Sequence, residues 1–148
     1  MAKIKGSCRC GQLKYQITDS PVLSGFCHCY ACQKRTNAPC AAFAMVKKNT
    51  FNPVGSSLTY KDKGGSGAPL LEHRCSECGT IVYTELKVLD GIYAVSATTY
   101  TDSSQFDPSI HVWVSSQDKR FQINDNLHQE AGPPKALFKF IAKEKSEA

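Results

Sequence analysis

Seven of the eight cysteines stand in tight groups at the spacing of metal ligands: Cys8 and Cys10 in "SCRCG", Cys27, Cys29 and Cys32 in "CHCYACQ", and Cys75 and Cys78 in "CSECG". Cys40 stands alone. An even count invites a disulfide reading, but bonds within Cys8-x-Cys10 or Cys27-x-Cys29 would be strained, and nothing else points to secretion. Core cysteines, for their part, do not cluster this way. The metal reading accounts for the local detail. In Cys75-x-x-Cys78-Gly79 the glycine accepts positive φ, which lets backbone N–H groups point at thiolate sulfurs. Gly11 after Cys10 offers the same turn near the start of the chain. One such knuckle supplies two ligands, so a closed tetrahedral zinc site needs two. Pairing Cys8 and Cys10 with Cys75 and Cys78 gives a closed four-cysteine structural site, although spacing leaves other partitions open.

That pairing leaves Cys27, Cys29 and Cys32, three ligands where zinc takes four. Structural zinc sites are closed, whereas catalytic ones keep a position open. The competing reading completes the set with His28, His111 or Cys40. His28 is expected to point away, Cys40 to be a small core residue and His111 an ordinary strand histidine. Zinc on three thiolates carries a net charge of about −1 and is a weak Lewis acid. It suits the holding of a soft incoming thiolate better than the activation of water. Chemistry on a thiol substrate is the expectation. Tyr30, His28 and His111 are the candidates for a general acid. Rival signatures such as His-Glu-x-x-His, Gly-x-Ser-x-Gly and the phosphate-binding loop are absent.

The elements that must position these residues read mostly as short strands. "LKYQI" (Leu13–Ile17), "SLTY" and "IHVWV" alternate apolar with polar. "APCAAFAMV" (Ala38–Val46), "TIVYTEL" (Thr80–Leu86) and "GIYAVSATTY" (Gly91–Tyr100) are apolar, β-branched or aromatic. "NPVG" and "LDG" read as turns, and "KDKGGSGAP" (Lys61–Pro69) as a flexible connection in which "GGSG" is only a loop. A short helix is expected after the Cys29–Cys32 pair. A second is expected over "PKALFKFIAK" (Pro134–Lys143), followed by a frayed tail over about residues 143–148.

A chain of 148 residues predicts one domain, 1–148, able to bury a core without disulfide staples. The formal charge of +5 falls to about +2 once seven thiolates hold two zinc ions. The lysines are scattered, so no nucleic-acid partner is expected. The sequence has no apolar leader, no membrane-length apolar run and no N-x-Ser/Thr acceptor, which makes the cytoplasm the expected location and excludes a membrane partner.

Four ordered segments carry a resemblance: "GSCRCGQLKY", "CHCYACQKRTN", "HRCSECGTIVY" and "DPSIHVWV". From about Gly6 to Trp113 the chain resembles the glutathione-dependent formaldehyde-activating enzyme family, which also includes centromere protein V. The resemblance implies an Mss4-like fold, mainly antiparallel β-sheet built around zinc, with one or two short helices. It implies Cys8, Cys10, Cys75 and Cys78 as the structural zinc site, Cys27, Cys29 and Cys32 as the catalytic one, and two Zn²⁺ per chain. It also implies a carbon–sulfur lyase acting on S-hydroxymethylglutathione or a related small-thiol adduct, with glutathione as the small-molecule partner. The alternatives are a non-enzymatic zinc-binding module and a small-thiol-binding protein. Lys34 and Arg35, just after the ligands, are placed by position and charge to meet the carboxylates of such a peptide. Asn37 stands where the family often has glycine, and asparagine is the next-best residue for a left-handed turn.

Overall fold

The computed structural model describes residues 3–135. Those residues are mainly β. The strands are β1 (Ile4–Ser7), β2 (Lys14–Ile17), β3 (Leu23–Cys27), β4 (Ala41–Lys47), β5 (Phe51–Val54), β6 (Ser57–Lys63), β7 (Pro69–Cys75), β8 (Ile81–Leu86), β9 (Ile92–Ser96), β10 (Ile110–Val112) and β11 (His128–Gln129). One α-helix, α1 (Tyr30–Thr36), joins β3 to β4. The strands form a three-stranded sheet, β1-β2-β5, and an eight-stranded sheet, β11-β10-β3-β4-β9-β8-β7-β6. Pairing is antiparallel except that β10 runs parallel to β3 and β11.

Strand register assigns the two faces of the large sheet. Ala44 pairs with Val95, and Val95 with Tyr83, so these three share one face. They meet Leu13, just before β2, and Tyr15, Ile17 and Phe51 of the small sheet in one buried cluster. The Phe51 ring lies 4.7 Å from that of Tyr83 and 5.1 Å from that of Tyr15. The opposite face carries the alternate residues: Gly25 pairs with Phe43, Met45 with Ala94, and Ala94 with Thr84. Cys27, two residues beyond Gly25, is on this second face, so one sheet holds the main core on one side and the three-cysteine loop on the other.

Several expectations need correction. "NPVG" is not a turn: Asn52, Pro53 and Val54 belong to β5, and the turn follows at Gly55. Proline is tolerated because β5 is an edge strand. Strand β10 stops at Val112, since Trp113 takes φ 58°, in the left-handed region. The segment 61–69 is a β-hairpin rather than a loose connection, with β6 running through Lys63 and β7 starting at Pro69. Cys40 is half-buried just before β4 instead of within the strand. Of the C-terminal helix expected over Pro134–Lys143, only the first two residues fall within the described part. The tail expected to fray lies outside it.

Candidate functional site

The first cysteine set forms where the β1–β2 turn meets the β7–β8 turn. The Cys8, Cys10, Cys75 and Cys78 sulfurs all lie within 4.8 Å of one another. Cys8 Sγ is 3.6 Å from Cys10 Sγ, which is 3.7 Å from Cys75 Sγ. Four sulfurs around a zinc with bonds of about 2.3 Å would stand about 3.8 Å apart. Gly11 and Gly79 adopt φ 84° and 77°, as knuckle turns require. The backbone N–H groups of Leu13, Glu77 and Cys78 donate to sulfur, the first to Cys8 and the others to Cys75, at 3.3–3.5 Å. Gln12 Nε2 donates to Cys75 Sγ at 3.2 Å and also bonds the Ser56 carbonyl, stapling the two turns. The Thr80 hydroxyl and backbone hold the Cys78 thiol down to about 5. Thiols not joined in disulfides, ringed by N–H donors and spaced as a sulfur tetrahedron, fit a soft divalent metal such as zinc.

The second set is built by the end of β3 and the start of α1. Cys27 ends the strand, Cys29 caps the helix by accepting from the Cys32 N–H at 3.2 Å, and Cys32 occupies its first turn. Asn37 ends the helix at φ 54°, in the left-handed conformation expected of it. The Cys27, Cys29 and Cys32 sulfurs lie within 4.8 Å of one another, and among the described residues no fourth His, Cys, Asp or Glu joins them. Hydrogen bonds from Cys27 and Cys32 favour the Cys29 thiolate, and the same bonding drives the Cys27 thiol far up. Three crowded thiols cannot all ionise without a cation to offset them. This donor set also fits a soft divalent metal.

His28 faces away from the three sulfurs. Its Nε2 lies 2.8 Å from His111 Nδ1, and His111 Nε2 lies 2.9 Å from Asp125 Oδ2. His28 and His111 are buried, and the His111 ring stacks 4.9 Å from Phe26. Gln33 Nε2 donates to the His28 and Ser116 carbonyls, both at 2.8 Å. These contacts fix the backbone between Cys27 and Cys29. Tyr30 points outward at 69% exposure. None of the three candidates for a general acid is therefore turned toward the sulfurs.

Arg35 behaves otherwise than expected. Its Nη2 donates to Cys32 Sγ at 3.3 Å, its Nε lies 3.5 Å from Glu72 Oε1, and its Nη1 lies 3.7 Å from Asp62 Oδ2. Glu72 is 2% exposed and is also held by Arg74 at 3.2 Å. Arg35 thus balances one sulfur and one buried carboxylate of its own chain, while Lys34 is exposed.

The three cysteines line a cavity of about 220 Å³ on the second face of the sheet, beside Phe43, Met45, Leu70 and Trp113. The β6–β7 turn closes one side of it. A Cβ added to Gly65 would stand 2.7 Å from Cys29 Cβ and 3.3 Å from Trp113 Cε2, so only glycine fits there. "GGSG" reads as an ordinary loop, and the need for Gly65 comes from a contact far away in sequence. Trp113, at its unusual φ, closes another side.

The sequence profile of the glutathione-dependent formaldehyde-activating enzymes matches residues 3–116, which span both cysteine sets and the β10 strand. The chain belongs to this family. Its fold is shared with a crystal structure of a Rhodobacter sphaeroides protein, at a TM-score of 0.50 and 18% identity, covering 64% of this chain and 85% of that one. No curated protein sequence matches. No helix among the described residues of this formaldehyde-activating-enzyme relative is long and apolar enough to cross a membrane.

Proposed function

We propose that the protein is a zinc-dependent carbon–sulfur lyase that makes and breaks thiol–formaldehyde adducts, S-hydroxymethylglutathione or that of a related small thiol. In this reading Cys8, Cys10, Cys75 and Cys78 hold a structural zinc. Cys27, Cys29 and Cys32 hold a second zinc whose remaining position is left to substrate. The observation that carries the proposal is the three-sulfur set bordering a cavity with no fourth ligand among the described residues. The family description, which names glutathione and formaldehyde, supports the same reaction class.

When bound, that zinc would supply the positive charge that keeps a substrate thiol ionised at neutral pH. The protein's own residues do the rest. The His28–His111–Asp125 chain and Gln33 hold the ligand loop, and Arg35 offsets charge on Cys32. The cavity walls keep water from the reacting pair. In the forward direction the substrate sulfur bonds to the aldehyde carbon, and the carbonyl oxygen takes up a proton. The reverse direction breaks that carbon–sulfur bond.

The test combines zinc content with exchange. Two zinc per chain, together with faster interconversion of ¹³C-formaldehyde and its glutathione adduct than in the uncatalysed mixture, is the expected result. Acceleration that survives Cys29→Ser, or one zinc per chain held only by the four-cysteine set, would overturn the proposal.

A further inference from the structure

Among the described residues, the charges around the cavity do not match a glutathione body. Glutathione carries a carboxylate at each end and an ammonium group, and each needs a partner if it leaves water. Among the described residues that line the cavity, Arg35 alone is charged. Its guanidinium is already shared by Cys32, Glu72 and Asp62. Its Nη1, which makes no hydrogen bond, is completely covered by protein. No carboxylate lines the described wall to receive an ammonium group. The wall is instead aliphatic and aromatic, with Phe43 and Met45 from β4, Leu70 from β7, Leu86 from β8, and Leu89 and Trp113 from the loops.

The hollow has a specific origin. Ala94 of β9 stands between Met45 and Thr84 in register, on the cavity side of the sheet. Its methyl group leaves the floor low in the middle of a row of larger residues. The three sulfurs border the same space. A molecule that brings its sulfur to them would lay its remainder along this floor.

From this juxtaposition we infer that the preferred substrate is the formaldehyde adduct of a thiol with an uncharged apolar body, an alkyl or arylalkyl thiol, rather than that of glutathione. The inference rests on the thiol chemistry proposed above and concerns the part of the substrate that does not react. The step balances without a further reactant. The thiol sulfur forms a bond to the formaldehyde carbon, the carbonyl π pair moves to oxygen, and the thiol proton ends on that oxygen. Release reverses each of these changes.

Trp113 is the chain's single tryptophan and lies on the cavity wall, so its fluorescence reports occupancy. The zinc-loaded full chain is titrated with ethanethiol, butanethiol, hexanethiol, glutathione and hexan-1-ol. Each buried methylene is expected to tighten binding about fourfold, placing hexanethiol about two hundredfold below ethanethiol in Kd. Hexanethiol is also expected to bind tighter than glutathione. Ala94→Leu, which fills the floor, is expected to flatten the chain-length dependence while ethanethiol still binds. If that variant does not fold, the wild-type series decides alone. An affinity that ignores chain length, or glutathione binding more tightly than hexanethiol, overturns the inference. Hexan-1-ol separates the two readings. If it equals hexanethiol while the chain-length slope persists, the thiol chemistry fails and the apolar cavity stands. A flat slope with thiol still preferred over alcohol does the opposite.

Discussion

Adding one methyl group at Gly65 should loosen the three-cysteine site without touching the four-cysteine site. The new carbon would stand 2.7 Å from Cys29 Cβ and 3.2 Å from its sulfur. Carbon atoms in contact prefer about 3.5–4.0 Å, so something must move by about 1 Å. The turn has little freedom to move, because Gly64 N–H donates to the Ala68 carbonyl and Gly67 N–H to that of Gly64, both at 2.9 Å. The displacement therefore falls on Cys29. Overpacking of this kind costs about 1–3 kcal/mol, equivalent to a roughly 5- to 150-fold loss of metal affinity if the ligand absorbs it. Zinc competition against a chromophoric chelator reads both sites in one titration, and a thermal melt reports the fold. Gly64→Ala is the control, since its added carbon meets Leu70 Cδ2 at 3.5 Å and the Ala68 carbonyl oxygen at 3.9 Å, both ordinary contacts. The reasoning is refuted if Gly65→Ala keeps both zinc ions at wild-type affinity, or if Gly64→Ala weakens the site equally.

Cys75→Ser should lower folding stability severely, because it removes a ligand that ties the two sheets together and metal binding is coupled to folding. Cys29→Ser should stay folded with one zinc fewer; circular dichroism and zinc analysis decide, and the opposite pattern reverses the assignment of the two sites. Glu72→Ala strands Arg35 beside a sulfur with its buried counter-charge gone, and should cost about 3 kcal/mol in urea unfolding, the low end for breaking a buried pair because Arg74 is partly exposed. A loss below about 1 kcal/mol would show the cluster to be solvent-screened. Zinc release should rise as pH falls from 7 to 5, since the bound form holds thiolates and the released form takes up protons. With fewer ligands, the three-cysteine site should empty first in a chelator assay, and release in the other order would count against it.

The cysteine groups are legible because ligand spacing is local: Cys-x-x-Cys-Gly and Cys-x-Cys-x-x-Cys each bring their sulfurs together within a single turn. Most strands are legible for the same reason, through apolar and β-branched runs such as "TIVYTEL". The omissions are non-local. Strand β7, "PLLEHRC", carries a buried Glu72 in the middle, and that glutamate is tolerable only because Arg35 and Arg74 arrive from elsewhere. Pro53 argues against a strand until β5 is known to be an edge. The His28–His111–Asp125 chain joins residues 83 and 14 positions apart, so no local pattern announces it. The requirement for glycine at position 65 is set by Cys29 and Trp113, distant in sequence but packed directly against the turn.

The separation of the four-cysteine ligands along the chain sets an order for metal loading. Cys10 and Cys75 are 65 positions apart, and closing such a loop in an unfolded chain costs about 4 kcal/mol. Cys27, Cys29 and Cys32 lie within six consecutive residues and incur almost none of that cost. On a ribosome, Cys8 and Cys10 emerge first and wait for almost seventy further residues before their partners exist. The three-cysteine loop is complete long before that. A metal that fills both sets would thus meet the local one first, during synthesis, and the closed one only once the sheets have come together.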